Sequence, residues 1–216
     1  MRLVIANWKM NMNLSEITGW LEEFKNMYRK DSLKVDVIIA PPFPYLAEVK
    51  AAGFSAGAQD VSQFEKGAHT GEVGAFEIKD YCRYCIIGHS ERAEERDKVL
   101  KKRDLCLKNR ITPIVCFVEP EDALRSYSEN SLLAWEDPQN ISINGHYRAE
   151  STTDFDVKLK DLKKTLPEGA KVIYGGSVNR QNVRELANIS ELDGVLVGNA
   201  SLDPAHFKEI VEAFAS

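Results

Sequence analysis

The chain has 216 residues, of which 44% are hydrophobic and 28% are charged, and its formal net charge is −5. That length and composition suit one globular domain over residues 1–216 with a sizeable core. An acidic chain lacks the basic face of a general nucleic-acid binder, and no apolar run approaches the roughly 20 residues that cross a bilayer. The apolar run before Asn7 is too short for a signal peptide. We therefore expect a cytoplasmic protein with no nucleic-acid partner and no membrane partner.

Strand-like apolar runs recur along the chain and alternate with helical patterns. They begin at Arg2, Val35, Phe54, Tyr84, Thr112, Ser131, Ala170 and Asp193. Eight such units predict parallel strands in a closed (β/α)8 barrel. A doubly wound open sheet is the alternative, which is weakened because no G-x-G-x-x-G follows the first strand. Such barrels usually have about 250 residues, and the shortening is predicted around the fifth helix, between Cys116 and Glu136.

Apolar residues at helical spacing predict which helix faces are buried. The first helix should follow an Asn13–Glu16 capping box and bury Ile17, Leu21, Phe24 and Tyr28. The charged helix from Ala93 to Asn109 is expected to bury Val99, Leu100, Leu105 and Leu107. The helix that starts near Ser151 is expected to bury Phe155, Leu159, Leu162 and Leu166. The last helix should begin at Pro204, a favourable first-turn residue.

The four cysteines predict no metal site. Cys82 and Cys85 form a C-x-x-C pair, but no second pair or histidine stands at the spacing of a zinc site. A redox pair is an open alternative. The favoured interpretation is that these are small buried side chains near the start of a strand.

Polar and glycine-rich segments follow five of the predicted strands, at the end of a barrel where function resides. The side chains that they offer are Asn7 and Lys9 after strand one, His89, Glu91 and Arg92 after strand four, Glu136 after strand six, and Ser177, Gly198 and Asn199 after strands seven and eight. Taken singly, each has an ordinary interpretation, such as a solvated lysine, a structural histidine, a strand-end acid or a turn glycine.

Taken together, these segments indicate one chemistry. Glycine-rich turns with a short helix N-terminus bind phosphate through backbone N–H groups. Lys9 supplies positive charge, Glu136 a base and His89 a proton-donating electrophile. Together, a base, a proton donor and a positive charge are the groups needed to move a proton between carbons next to a carbonyl.

Seven motifs resemble the triosephosphate isomerase family and stand in the family's order over nearly the whole chain. They are "ANWKMN", "APPFPYL", "GAQDVSQFEKGAHTGEV", "IIGHSER", "PIVC", "YGGSV" and "VGNASL". The resemblance implies an isomerase of glycolysis and gluconeogenesis that interconverts dihydroxyacetone phosphate and D-glyceraldehyde 3-phosphate through an enediolate, without cofactor or metal. It also implies a homodimer formed through the loop around His69 to Glu72.

The resemblance also assigns roles to single residues. Lys9, His89 and Glu136 would be catalytic. The substrate-binding residues would be Asn7, Lys9, Ser177, Gly198 and Asn199, and the supporting pair would be Glu91 and Arg92. His89 would act as a neutral imidazole, with its pKa lowered by a helix that starts directly after it.

The sequence departs from the family most clearly after Glu136. The family has a Pro-Val-Trp hinge and an Ile-Gly-Thr-Gly tip there, whereas this chain has its proline one residue late, at Pro138, and no tryptophan. We expect Asp137–Glu150 to be a lid of altered sequence. Ala93 also replaces a second arginine, and Asn199 stands where glycine is usual. Two alternatives stay open: a barrel that binds a sugar phosphate without catalysis, and an isomerase of another phosphorylated aldose or ketose.

Overall fold

The computed structural model describes residues 1–28, 34–136 and 151–215. Its strands are β1 (Arg2–Asn7), β2 (Val35–Ala40), β3 (Ser55–Ala58), β4 (Tyr84–Ile87), β5 (Thr112–Phe117), β6 (Leu132–Trp135), β7 (Lys171–Tyr174) and β8 (Gly194–Val197). Each strand pairs in parallel with the next, and β8 pairs with β1 to close the barrel. The predicted (β/α)8 barrel is confirmed, and the open-sheet alternative is wrong. The predicted lid, 137–150, lies outside the described residues.

Helices connect the strands on the outside of the barrel. They are α1 (Leu14–Met27), α2 (Leu46–Ala51), α3 (Ala75–Ile78), α4 (Arg96–Lys108), α5 (Glu121–Ser126), α6 (Thr152–Thr165), α7 (Val183–Ala187) and α8 (Pro204–Ala215). The fifth helix, α5, has 6 residues, but α2, α3 and α7 are as short or shorter, so the shortening around the fifth helix stays a prediction. Among the described helices, none is long and apolar enough to span a membrane.

The strands are apolar on both faces because the barrel buries both. Successive side chains of a strand point to opposite faces. In β1, Leu3 and Ile5 therefore fill the barrel interior, while Val4 and Ala6 pack in the layer between strands and helices. Because both faces of each strand are buried, polar side chains can point toward the barrel axis only beyond the ends of the strands.

Two helix predictions agree with the structure in detail. The Asn13 side chain accepts from the Glu16 N–H at 3.1 Å, and the Glu16 carboxylate accepts from the Asn13 N–H at 2.8 Å, so the capping box is formed. The residues predicted to be buried in α1 and α6 are all buried, and so are Tyr28 and Leu166, which directly follow these two helices. Helical spacing was sufficient there because both helices are amphipathic.

The prediction for α4 is partly wrong. The helix begins at Arg96, because Ala93 takes a left-handed conformation with φ 47° after a 3-10 turn at Ser90–Arg92. Val99 is buried as predicted, but the predicted leucines, Leu100, Leu105 and Leu107, are only half-buried. Lys102 and Cys106 are buried instead. They lie three and seven residues after Val99 and so share its helix face.

All four cysteines, Cys82, Cys85, Cys106 and Cys116, are buried and outside any disulfide. Burial raises the pKa of the Cys82 thiol to about 12. A thiol that stays protonated is unreactive, which agrees with the interpretation of these residues as small buried side chains.

Candidate active site

The residues that the sequence predicts as catalytic or substrate-binding line one cleft at the C-terminal mouth of the barrel. The cleft is lined by Asn7, Lys9, His89, Glu136, Ser177, Gly198 and Asn199, and also by Gly175, Gly176, Val178, Leu196 and Ala200. The supporting residues Glu91 and Arg92 lie just outside this lining. These residues lie close together because a closed parallel barrel has the C-terminal ends of all its strands at the same end.

Glu136 lies directly above the barrel interior. Trp135 is the last residue of β6, and its indole packs in the outer layer. The next side chain therefore points inward. The Glu136 backbone N–H donates to the Phe117 carbonyl at 2.8 Å and so extends the strand ladder by one residue. Gly175 leaves space for the carboxylate stem, since a Cβ there would lie 2.8 Å from Glu136 Cγ.

The Glu136 carboxylate accepts hydrogen bonds from Ser90, lies beside the His89 ring and has almost no contact with solvent. Its Oε2 accepts from the Ser90 N–H at 2.7 Å, and its Oε1 lies 3.0 Å from His89 Nε2. The residue is 1% exposed. Burial raises the pKa of Glu136 to about 7, against the opposing effects of the Ser90 hydrogen bonds and the Lys9 charge. A carboxylate with a pKa near neutrality is suited to general base catalysis.

His89 is held as a neutral imidazole. Its Nδ1 accepts from the Glu91 N–H at 3.2 Å, which places the ring proton on Nε2, facing Glu136. Burial and, second, the Lys9 charge together lower the pKa of His89 to about 4, against the opposing effect of Glu91. The 3.0 Å contact with Glu136 is therefore a contact with a neutral ring rather than an ion pair.

The predicted direction of the His89 shift agrees with the structure, but the predicted cause is wrong. Only the three-residue 3-10 turn at Ser90–Arg92 follows His89, which is too short to carry the dipole of a helix. Burial is the largest cause, and Lys9 is the second.

Lys9 brings an ammonium group to the cleft and has an uncommon backbone conformation. Its φ is 51°, a left-handed conformation that costs on the order of 1 kcal/mol for a residue with a Cβ. The Lys9 N–H donates to Asn7 Oδ1 at 3.1 Å, and its carbonyl accepts from Gln59 Nε2 at 3.0 Å. Its Nζ lies 2.6 Å from Glu91 Oε1. Asn7 and Gln59 thus hold the backbone while Glu91 directs the ammonium group.

Gln59 is a site residue that the sequence analysis missed. It follows β3 directly, and its side-chain amide also donates to the Ala40 carbonyl at 2.9 Å, at the end of β2. One amide thus connects the C-terminal ends of three strands. Its place after a strand was the available signal, but glutamine alone indicates no chemistry.

The glycine-rich turns form the other end of the cleft. A 3-10 turn at Asn199–Ser201 follows Gly198, whose carbonyl accepts from Ser201 Oγ at 2.7 Å. The Lys9 stem passes Gly198, because a Cβ there would lie 3.5 Å from Lys9 Cε. Ser177 is buried, and its carbonyl accepts from Asn182 Nδ2 at 2.7 Å. Backbone N–H groups of such turns, beside an ammonium group, suit a phosphate.

Two further features lie outside the cleft. Arg92 forms an ion pair with Asp60 at 2.8 Å. The loop predicted to contact a second subunit is exposed, and the rings of Phe64 and His69 stack at 4.0 Å. Within residues 1–28, 34–136 and 151–215, no group of three histidine, cysteine or acidic side chains is arranged to hold a metal ion.

Comparisons with known proteins agree with this geometry. The family profile described as triosephosphate isomerase matches residues 2–214. Curated proteins named triosephosphate isomerase are similar over most of their length. The Alkalilimnicola ehrlichii protein is 33% identical, covering 98% of this chain and 97% of the relative. The Rhodococcus jostii protein is 35% identical, with 95% and 93% coverage, and that of Wolbachia pipientis is 30% identical, with 97% and 93% coverage. The first alignment runs over 246 residues, so that relative has segments that this shorter chain lacks.

Proposed function

The chain belongs to the triosephosphate isomerase family, and from that premise we propose that it interconverts dihydroxyacetone phosphate and D-glyceraldehyde 3-phosphate with Glu136 as the base. The observation that carries this assignment is the contact between Glu136 and neutral His89, 3.0 Å apart, in a cleft shared with Lys9. Binding alone needs no buried base beside a proton donor.

The substrate carbonyl oxygen accepts a hydrogen bond from the His89 Nε2–H. Glu136 removes a proton from the carbon next to the carbonyl, which leaves an enediolate. The Nε2–H and the Lys9 ammonium group stabilise the negative charge on oxygen, as preorganised donors do in a buried site. His89 Nε2 gives its proton to the former carbonyl oxygen and takes the proton of the other enediolate hydroxyl, and Glu136 returns its own proton to the former carbonyl carbon. Protons alone change place, so the reaction requires no cofactor.

The phosphate lies at the opposite end of the cleft in this proposal. The N–H groups of Ser177, Gly198 and Asn199 bind it, and Lys9 adds a charge-assisted contact. An amide N–H is present at Asn199 as it is at a glycine, so this departure from the family pattern leaves the donor in place. The ion pair between Lys9 and Glu91 holds the ammonium group over the cleft before the dianion arrives.

We also propose a homodimer formed through the exposed loop around His69 to Glu72, and a cytoplasmic location. The stacked Phe64 and His69 rings give the loop an aromatic surface that a second subunit could cover. Four cysteines outside any disulfide agree with a reducing compartment. Sedimentation velocity of the parent and a Phe64→Asp variant tests the dimer: a dimeric parent and a monomeric variant support it, and a monomeric parent contradicts it.

A coupled assay of both reaction directions tests the activity. We expect turnover with the two triose phosphates. Affinity for them without turnover would favour the barrel that only binds a sugar phosphate, and faster turnover of a longer phosphorylated aldose or ketose would favour an altered substrate.

A further inference from the structure

A buried ion cluster lies beside the active site and is absent from the proposed mechanism. The Lys102 side chain, on α4, is only 6% exposed. Its Nζ lies 2.7 Å from Asp60 Oδ1 and 2.5 Å from Glu94 Oε1. Arg92 lies 2.8 Å from Asp60 Oδ2 and 3.6 Å from Glu94 Oε2. Two cations and two carboxylates thus alternate, with Lys102 as the buried member.

The two carboxylates belong to different loops, and each loop holds part of the catalytic apparatus. Asp60 follows Gln59, whose amide holds the Lys9 carbonyl. Glu94 ends the segment after β4, in which the Ser90 N–H holds Glu136 and the Glu91 N–H holds the His89 ring. Lys102 binds both loops at once.

A buried lysine is costly unless it is paired with good geometry. An apolar residue at position 102 would pack on the same face of α4 without that cost. The positive charge of Lys102 is therefore better explained by its contacts with the two loops than by a contribution to stability.

We infer that Lys102 is a positioning residue that fixes the loop after β3 relative to the loop after β4, and so sets Lys9 and the His89–Glu136 pair at their working separation. This inference rests on the proposed isomerase function. None of the four cluster residues is among those that line the cleft, so the cluster acts through the backbone of the two loops that hold Asp60 and Glu94. Small errors of placement have large effects in such sites, since a shift of about 1 Å costs up to about a hundredfold in rate.

The test compares two double variants of the whole chain that leave the net charge unchanged. Lys102→Met/Glu94→Gln removes the buried pair and leaves the Arg92–Asp60 pair intact. Lys163→Met/Asp193→Asn is the matched control, because it removes a 2.6 Å ion pair between α6 and the residue before β8, at the opposite end of the barrel. Unfolding midpoints are measured for both, and kinetics are run well below the lower midpoint.

We expect the Lys102 variant to lose about ten- to a hundredfold in kcat and the control to keep the kcat of the parent. The acid limb of kcat/KM should also move to higher pH, because a displaced Ser90 N–H stabilises the Glu136 carboxylate less. The other groups that face Glu136, namely His89, Lys9, Glu91 and Cys116, are the same in both variants. Lost stability alone would move neither quantity in a folded enzyme.

Asp60→Asn is a second, milder variant in case the first does not fold, and the same directions are expected with a smaller loss. An active parent whose Lys102 and Asp60 variants keep kcat and the pH profile would overturn the inference while leaving the proposed function intact. A parent without isomerase turnover would overturn the proposed function, and this role with it.

Discussion

Replacing the buried base by its neutral amide should make the protein more stable at alkaline pH. The pKa of Glu136 rises from 4.5 to about 7 on folding, chiefly through burial. The folded state therefore binds the proton more tightly, and stability is lost as pH rises through this window. At about 1.4 kcal/mol for each pKa unit, this rise corresponds to a cost of about 3 kcal/mol above pH 8. Most of that cost develops between pH 5 and pH 8.

Glu136→Gln removes this cost but has one acceptor oxygen instead of two, so it loses one of the hydrogen bonds that the carboxylate accepts from Ser90. The lost hydrogen bond costs about 1 kcal/mol at every pH. We therefore expect equal stability near pH 5 and a variant more stable by about 2 kcal/mol at pH 8. For a chain of 216 residues this corresponds to about 4–8 °C in Tm. His89, with its pKa lowered to about 4, is already neutral at pH 5, and loss of the neighbouring carboxylate disfavours its protonation further, so it contributes little to the comparison.

The assay is urea unfolding at pH 5 and pH 8 at one fixed protein concentration, since association shifts apparent stability. Glu129→Gln, at an exposed site, is the matched control, with an expected effect within about 0.5 kcal/mol. A Glu136→Gln variant whose stability relative to the parent is the same at both pH values would refute the assignment of Glu136 as a buried, desolvated acid.

Three further outcomes follow from the site and the barrel. The kcat/KM of the parent should fall below a pH of about 7, where Glu136 gains a proton; a plateau down to pH 5 would speak against it as the base. Gln59→Leu leaves the Lys9 carbonyl without its donor and should raise KM about tenfold in steady-state kinetics; an unchanged KM would show that Lys9 needs no such anchor. Gly194→Ala places a Cβ 2.0 Å from the Leu3 carbonyl oxygen at φ 154°, so urea unfolding should show a loss of more than about 3 kcal/mol, and a midpoint near the parent's would contradict the closure between β8 and β1.

Local patterns predicted the fold well because its elements obey local rules. The Asn13–Glu16 capping box and the buried face of α6 depend on residues a few positions apart. The site residues were found because parallel strands in a closed barrel bring their C-terminal ends to one mouth. The predicted side chains that line the cleft needed only their positions after a strand to be placed there, whereas Glu91 and Arg92 also follow β4 and lie outside the lining.

The contacts that tune the site were harder to predict, because their partners are distant in sequence. Lys102 stands in a charged helix and has the pattern of a solvated residue, yet its partner Asp60 is 42 residues away. Gln59 holds Lys9, 50 residues before it. The cause of the His89 shift was also mistaken, since burial depends on packing around the ring rather than on the next residues.

The most direct test of the account is solvent exchange during the reaction. Dihydroxyacetone phosphate is incubated with the parent or with Glu136→Gln in D2O, and deuterium at the carbon next to the carbonyl is followed by NMR. We expect the parent to introduce deuterium as it forms D-glyceraldehyde 3-phosphate, and the variant to be slower by about a thousandfold. Exchange by the variant at the rate of the parent would contradict the claim that Glu136 moves the proton.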